Sequence, residues 1–291
     1  MPDKLTIPER ELMMQGHQAC GGCGGALAMR IALKALGPRT IMVIPACCWA
    51  VIPGVLPYTC LSIPMLSSAF AATGATISGI AASLKEQGIS DVTVVGWAGD
   101  GGTADIGIQA LSGAVERGDD FIYFCYDNEA YMNTGIQRSG ATPPGALTTT
   151  TPVKKVGEKK EMVEIMVAHR IPYAATANPA YPEDMVEKIV RAKSIHGPSY
   201  IHILAPCPTG WRYPSEKSVE LARLAVASRI FPLYSVESGR YALQKRGMRK
   251  IPVKDYLSMQ GRFRLDEEEI AEIQRRVDEN WERLLAMEGQ R

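Results

Sequence analysis

Two short runs in the middle of the chain carry residue types that can hold a phosphorylated group through a divalent cation: Gly99-Asp100-Gly101-Gly102 and Asp127-Asn128-Glu129. A carboxylate and an amide oxygen are hard ligands suited to Mg2+, which completes its octahedron with carbonyl, water and phosphate oxygens. The glycines let backbone N–H groups approach a diphosphate at the start of a following helix. Taken singly, the same residues are ordinary turn formers. The second chemical set is the cysteines, seven in all: Cys20, Cys23, Cys47, Cys48, Cys60, Cys125 and Cys207. Cys20-Gly-Gly-Cys23 can supply two corners of a tetrahedral thiolate site, and distant cysteines can complete it as a zinc site or a cubane iron–sulfur cluster. Spacing leaves both open. A thioredoxin-like pair would need a strand before it, whereas a polar segment precedes Cys20. Cys125, inside a strand candidate, and Cys60, in an apolar run, read as small core residues.

For Asp100 and Asn128 to meet, the turns that carry them must open at one edge. Residues 92–97 and 121–126 are short apolar, β-branched or aromatic runs, and 104–115 between them has apolar residues at helical spacing, which predicts a βαβ unit. Both turns then follow parallel strands. Further strands are expected at 40–44, 173–176 and 199–204, and helices at 26–36, 67–85, 161–169 and 182–194. The fold class is therefore α/β, a mostly parallel central sheet with helices on both faces and ligands at the carboxyl ends of the strands. Residues 140–160 hold Pro143, Pro144, Pro152 and four successive threonines, and read as a long loop near a functional surface. The lysines that follow, Lys154, Lys155, Lys159 and Lys160, read as a solvated loop in preference to a contact for a CoA phosphate. From about 215 the alternation weakens, and a charged helix is expected at 267–287. This divides the chain into a cofactor domain at 1–214 and a C-terminal arm at 215–291, expected to pack on partner subunits.

Composition sets the outer bounds. With 46% hydrophobic and 22% charged residues, the 291-residue chain is that of an ordinary globular protein. Its 32 Lys+Arg against 31 Asp+Glu leave a net charge of +1, with no field to draw in nucleic acid or an anionic membrane, so neither is expected as a partner. No run approaches the ~20 apolar residues of a membrane span. The first residues lack a secretion-signal pattern, and the cytoplasm is the expected location. An odd number of cysteines there argues for metal or redox chemistry and against a disulfide framework. His17 reads as a donor to sulfur or backbone beside the cysteine loop, and His169, His196 and His202 have no ligand spacing.

The Gly-Asp-Gly turn with Asn128 at the end of the next strand resembles the diphosphate-binding motif of thiamine-diphosphate enzymes. That resemblance implies Mg2+ ligation by the side chains of Asp100 and Asn128 and the backbone carbonyl of Ala130, with Gly99, Gly101 and Gly102 along the cofactor. More runs extend it: Gly16-His17-Gln18-Ala19-Cys20-Gly21-Gly22-Cys23-Gly24 with Arg30, Tyr131-Met132-Asn133-Thr134-Gly135-Ile136-Gln137-Arg138-Ser139, Ala141-Thr142-Pro143 and Pro206-Cys207-Pro208-Thr209-Gly210-Trp211. With these, the chain resembles the β subunit of pyruvate:ferredoxin oxidoreductase and its 2-oxoacid:ferredoxin oxidoreductase relatives from about 16 to 211.

The family resemblance implies the diphosphate-binding type of thiamine-diphosphate fold and a [4Fe-4S] cluster on Cys20, Cys23, Cys48 and Cys207. Cys47 competes for the third place, and counting from the preceding strand favours Cys48. The implied activity is thiamine-diphosphate-dependent oxidative decarboxylation of a 2-oxoacid, with electrons leaving through the cluster to ferredoxin. Pyruvate is the first expectation and CoA the usual acyl acceptor; oxalate or a branched-chain acid is the alternative. Asn133 and Thr134 are candidates to face substrate or cofactor, and Arg138 to pair with a carboxylate or phosphate. An α subunit is expected to bring the pyrimidine-binding domain and activating glutamate, because the roughly 75 residues after 215 are too few for a second α/β unit. Ferredoxin-like γ and δ subunits or domains would relay electrons to external ferredoxin. Two rivals remain at this level: a non-redox thiamine-diphosphate decarboxylase, with no use for four converging cysteines, and a zinc-stabilised interaction protein, with no use for the Asp–Asn pair.

Overall fold

The computed structural model describes residues 6–55, 57–245 and 250–289. At its centre are strands whose two faces are both apolar. In β3 (Thr93–Gly99), Val94 and Ala98 face one way and Val95 and Trp97 the other; in β4 (Ile122–Asp127), Tyr123 and Cys125 oppose Ile122, Phe124 and Tyr126. Such strands need cover on both sides. One side is covered by α1 (Gly24–Leu36) and α5 (Pro182–Lys193), and the other by α2 (Thr73–Glu86), α3 (Ile108–Arg117) and α4 (Met162–Ala168).

With β1 (Thr40–Pro45), β2 (Met65–Ser68), β5 (Tyr173–Ala177), β6 (Ser199–Leu204), β7 (Tyr234–Glu237) and β8 (Arg240–Leu243), these strands form one eight-stranded sheet in the order β2-β1-β3-β4-β6-β5-β7-β8. The pairings from β2 through to β5 are all parallel, and β5–β7 and β7–β8 are antiparallel. The expected α/β class, strands and covering helices are present. The helix expected from 67 begins only at Thr73, because Met65–Ser68 pairs as an edge strand with β1. A wide helical turn, Gly101–Ile106, precedes α3.

Residues beyond 215, expected as an arm, build on this same sheet. β7 pairs with β5, and Thr176 Oγ1 donates to the Pro232 carbonyl at 2.8 Å and accepts from Tyr234 N at 2.9 Å. The short α6 (Pro208–Trp211), α7 (Ser218–Ala227) and α8 (Val253–Leu257) enclose a third apolar cluster around Trp211, Leu221, Leu233 and Tyr256. The last helix, α9 (Glu267–Gly289), is charged along most of its length. It buries Trp281 and Leu284, spaced three apart on one face, and Arg229 lies 4.3 Å above the Trp281 ring.

Candidate functional site

β1, β3, β4 and β6 are consecutive neighbours in the sheet and run parallel, so the turns that leave them open at one edge. Those turns carry Cys47-Cys48, Asp100, Asn128 and Cys207. The register sets Gly99 beside Tyr126 and Asp127 beside Leu204, which brings the three central turns level. The Cys20–Cys23 loop is drawn to the same edge by a bond from Gly24 N to the Pro206 carbonyl, 2.9 Å. A Cβ on Gly24 would stand 2.6 Å from Pro206 N, so the close approach requires glycine.

Asp100 is buried one residue past β3 and accepts from Ser139 Oγ at 2.5 Å on Oδ2. On the other turn Glu129 adopts a left-handed backbone, φ 65°, unusual for a side chain with a Cβ. Glu129 N donates to Asp127 Oδ1 at 2.8 Å, Thr142 Oγ1 donates to the Glu129 carbonyl at 2.6 Å, and Trp211 Nε1 donates to the Asn128 carbonyl at 2.7 Å. The turn so held directs the Asn128 side chain and the Ala130 carbonyl toward Asp100. The Asn128 amide presents its oxygen to Asp100 Oδ1 and Ala130 O, both acceptors; rotated half a turn, its nitrogen would donate to them at 3.0 and 2.9 Å. Adjacent ligands of an octahedral Mg2+ with bonds of about 2.1 Å lie about 3.0 Å apart. The Asn128 oxygen thus lies at the spacing of an adjacent ligand from each of the other two.

Electrostatics at this spot is unbalanced. Burial, and then the neighbouring Asp127, push the Asp100 carboxyl well above the usual carboxylate range. Burial acts on Asp127 too, but the hydrogen bond and charge of His202 more than offset it and hold that carboxyl low. His202 Nε2 pairs with Asp127 Oδ2 at 2.9 Å and its Nδ1 with Tyr200 OH at 2.8 Å. A histidine without ligand spacing therefore has a structural partner across the sheet.

Cys20, Cys23, Cys48 and Cys207 all line one cavity of about 400 Å³, together with Asn128, Met132 and Asn133. Cys47 lies outside that lining, with its thiol against Tyr126 and Gly99. It is extended while Cys48 opens a short helical turn, so the two side chains diverge. Burial raises the thiols of Cys23 and Cys47, and pushes Cys48 up to about 12 and Cys207 up to about 11, with neighbouring thiols adding to the last two. Cys20 is exposed. Among the described residues, no group of three or more His, Cys, Asp or Glu side chains is gathered closely enough to hold a metal ion by itself. The thiols surround a space, and the oxygen cluster has only one carboxylate. Cys60 and Cys125 lie in the core, as expected.

Of the three residues expected to face substrate or cofactor, Asn133 lines the cavity and its Oδ1 accepts from Cys48 Sγ at 3.0 Å. Thr134 is exposed, its hydroxyl donating to the Gln137 side chain, and Arg138 is exposed on the flank near Tyr131 and Lys155. His17 makes a local contact, its Nδ1 accepting from Ala19 N at 3.3 Å. The lysine loop is exposed at most positions, as expected, but its lysines are engaged with the protein. Lys155 Nζ is buried on the carbonyls of Thr142 and Glu158, and burial, followed by the charges of Arg138 and Lys159, lowers it to about 8. Lys160 binds the Ala104 carbonyl at 2.6 Å, and Lys154 pairs with Glu269 of α9. Lys155 thus supplies donors to two of the loop's own carbonyls. Sequence reasoning missed Ser139, Trp211, Glu129 and Arg262 as supports of the site; Glu129 adjoins Asn128, but its partner Arg262 is 133 residues on, and no local spacing links Ser139, Trp211 or Arg262 to Asp100 or Asn128.

Residues 57–203 match the family described as thiamine pyrophosphate enzyme, C-terminal TPP binding domain. Among similar proteins is the ketoisovalerate oxidoreductase subunit VorB of Pyrococcus horikoshii, 53% identical over 294 aligned residues that cover 97% of this chain and 94% of the relative. Another is the pyruvate synthase subunit PorB of Methanothermobacter thermautotrophicus, 51% identical over 280 residues covering 94% and 97%. A 2-oxoglutarate:ferredoxin oxidoreductase structure from Magnetococcus marinus, with 2-oxoglutarate, coenzyme A and succinyl-CoA bound, superposes with a TM-score of 0.59 at 18% identity. It covers 94% of each chain and so shares the fold.

Proposed function

Because the chain belongs to the β subunits of 2-oxoacid:ferredoxin oxidoreductases, within the thiamine pyrophosphate enzymes, we propose that it holds thiamine diphosphate through Mg2+ at Asp100, Asn128 and Ala130, beside a [4Fe-4S] cluster on Cys20, Cys23, Cys48 and Cys207. The observation that carries this reading is that Asn128, from the oxygen cluster, lines the same cavity as those four thiols. Two sites that share a wall can exchange electrons directly, which neither a zinc-stabilised interaction protein nor a non-redox decarboxylase requires.

Thiamine diphosphate, when bound, supplies the decarboxylation of the 2-oxoacid and the cluster supplies one-electron acceptance. The chain's own residues do the positioning. Gly99, Gly101 and Gly102 bring backbone to the diphosphate, and a Cβ on Gly101 would strike Tyr131 Cε1 at 2.2 Å. Ser139 keeps one Asp100 oxygen bonded, so that Oδ1 is left for the cation. Asn133 lies at the cavity wall, where it can contact substrate or hold the Cys48 sulfur. Trp49 Nε1, buried and without an acceptor among the described residues, lies next to Gly25 on the Cys23 side, where a thiolate could take its proton in a hydrogen bond. Thiols raised by burial must lose protons to bind iron, so loading the cluster releases them.

The substrate in this reading is an aliphatic 2-oxoacid in the range from pyruvate to ketoisovalerate, supported by the relatives' names, and CoA is taken as the acyl acceptor because the family resemblance implies it. Val51, Val55, Tyr58 and Leu66, exposed around the Cys48 turn and the β2 edge, offer the apolar surface that an α subunit would cover. Cys20, the exposed thiol, marks the side from which ferredoxin-like subunits would take electrons. No helix among the described residues is long and apolar enough to cross a membrane. The test is anaerobic co-purification with partner subunits, followed by viologen reduction across a 2-oxoacid panel. A brown preparation that reduces viologen with pyruvate or ketoisovalerate is expected; a colourless preparation holding zinc, or decarboxylation without viologen reduction, would overturn the assignment.

A further inference from the structure

The turn that presents Asn128 and Ala130 is clamped by a residue far away in sequence. Glu129 is buried, its carboxylate paired with the guanidinium of Arg262, itself 2% exposed. Arg262 also lies 4.1 Å above the Trp211 ring and 5.0 Å above Phe263, and its Nε donates to Gln260 Oε1 at 2.9 Å. Trp211 in turn donates to the Asn128 carbonyl at 2.7 Å. Arg262 therefore acts on the turn twice, through the Glu129 carboxylate and through the indole that holds the Asn128 carbonyl. Its backbone is fixed as well, the carbonyl accepting from Leu147 N at 2.8 Å.

The conformation it secures does not persist unaided. Glu129 sits at φ 65°, a region that side chains with a Cβ avoid unless their surroundings impose it. If that φ relaxed to negative values, the peptide planes on either side of Glu129 would rotate, and the Asn128 side chain and Ala130 carbonyl would no longer point to one place. Hydrogen bonds from Thr142 Oγ1 and to Asp127 Oδ1 hold the backbone of Glu129. The pair to Arg262 holds its side chain, which would otherwise be a lone buried charge.

We propose that Arg262 is a positioning residue for the cation site, locking the left-handed Glu129 so that Asn128 and Ala130 converge on Asp100. This rests on the assignment of Mg2+ to those three residues. It gives the segment after 215 a part in cofactor binding, because Gln260, Arg262 and Phe263 all belong to it.

The test uses Mn2+ as an electron-paramagnetic-resonance probe, titrated with thiamine diphosphate into the full chain with whatever subunits co-purify. Arg262→Lys keeps the charge and loses the planar stack. The double variant Glu129→Gln, Arg262→Met removes both charges and leaves neither unpaired. Leu284→Ala, in the core cluster with Tyr234 and Val236 and outside the one around Trp211, serves as a variant that lowers thermal stability alone. We expect the Mn2+ Kd to rise at least tenfold in the double variant and about threefold in Arg262→Lys, with no change in Leu284→Ala. A Kd within twofold of wild type in a folded double variant, or in Arg262→Lys if the double variant does not fold, would overturn the proposal. So would a rise in Leu284→Ala equal to that in the Arg262 variants. A wild-type protein whose Mn2+ site survives Asp100→Asn would overturn the cation assignment itself, whereas a site lost in Asp100→Asn yet untouched by the Arg262 variants overturns this inference alone.

Discussion

Replacing Asp100 with asparagine should have opposite effects on the protein with and without its cofactor. The wild-type carboxyl is 1% exposed and is displaced well above the ordinary range by burial and then by Asp127. A carboxyl shifted upward contributes stability that is present below its unfolded value, near 3.8, and lost as pH rises through the shifted value. Above the ordinary carboxylate range the cofactor-free protein therefore loses stability through this buried acid, and the amide, which does not titrate, removes that loss while still accepting from Ser139. With Mg2+ and thiamine diphosphate the sign reverses, because Asp100 is the one carboxylate in the oxygen cluster. A ligand at a hundred times its Kd stabilises a protein by about 2.7 kcal/mol. At about 2–4 °C per kcal/mol for a chain somewhat smaller than this one, the wild type should gain about 5–10 °C on adding both. Differential scanning calorimetry at pH 7 reads both halves. The variant should melt at or above the wild type in chelator and show almost none of the cofactor-dependent gain. A variant that keeps the gain, or that melts several degrees below wild type in chelator, would refute the reasoning.

Cys48→Ala should lose iron and labile sulfide, whereas Cys47→Ala should keep most of both, since only Cys48 lines the cavity; iron analysis in the reverse order would move the ligand. Gly24→Ala drives a Cβ to within 2.6 Å of Pro206 N and should destabilise the fold by about 1–3 kcal/mol, with a lower iron content because the Cys23 and Cys207 turns are pushed apart; an unchanged melting temperature and iron content would show that the two turns can separate freely. The isolated chain, loaded with thiamine diphosphate, Mg2+ and cluster, should show no 2-oxoacid-dependent viologen reduction, and turnover by it alone would place the activating carboxylate within these residues.

What was legible in the sequence is what depends on local pattern. The apolar runs 92–97 and 121–126 could be read as strands, so the convergence of Asp100 and Asn128 followed from two strand ends and the rule that parallel neighbours finish at one edge. Cys48 was favoured over Cys47 by counting from β1, and in the structure Cys48 lines the cavity. What escaped has no local signature. Ser139 meets Asp100, and Arg262 meets Glu129, through the packing of distant loops. β7 and β8 are four residues each, short enough to be hidden by the weakening alternation after 215, and only their pairing with β5 makes them part of the sheet. Lys155 looks like part of a solvated charge run because composition does not register that two of the loop's own carbonyls, those of Thr142 and Glu158, turn to its ammonium.

The central claim is that electrons from a 2-oxoacid pass into a cluster held by this chain, next to the oxygen cluster of Asp100, Asn128 and Ala130. Freeze-quenched electron paramagnetic resonance of the anaerobic complex, mixed with pyruvate or ketoisovalerate in the presence of thiamine diphosphate, Mg2+ and CoA, tests it directly. A reduced [4Fe-4S] signal is expected within the time of one turnover in wild type, and none in Asp100→Asn despite a full complement of iron. Release of CO2 from the 2-oxoacid with the cluster remaining oxidised, or a reduced signal of equal size in Asp100→Asn, would contradict it.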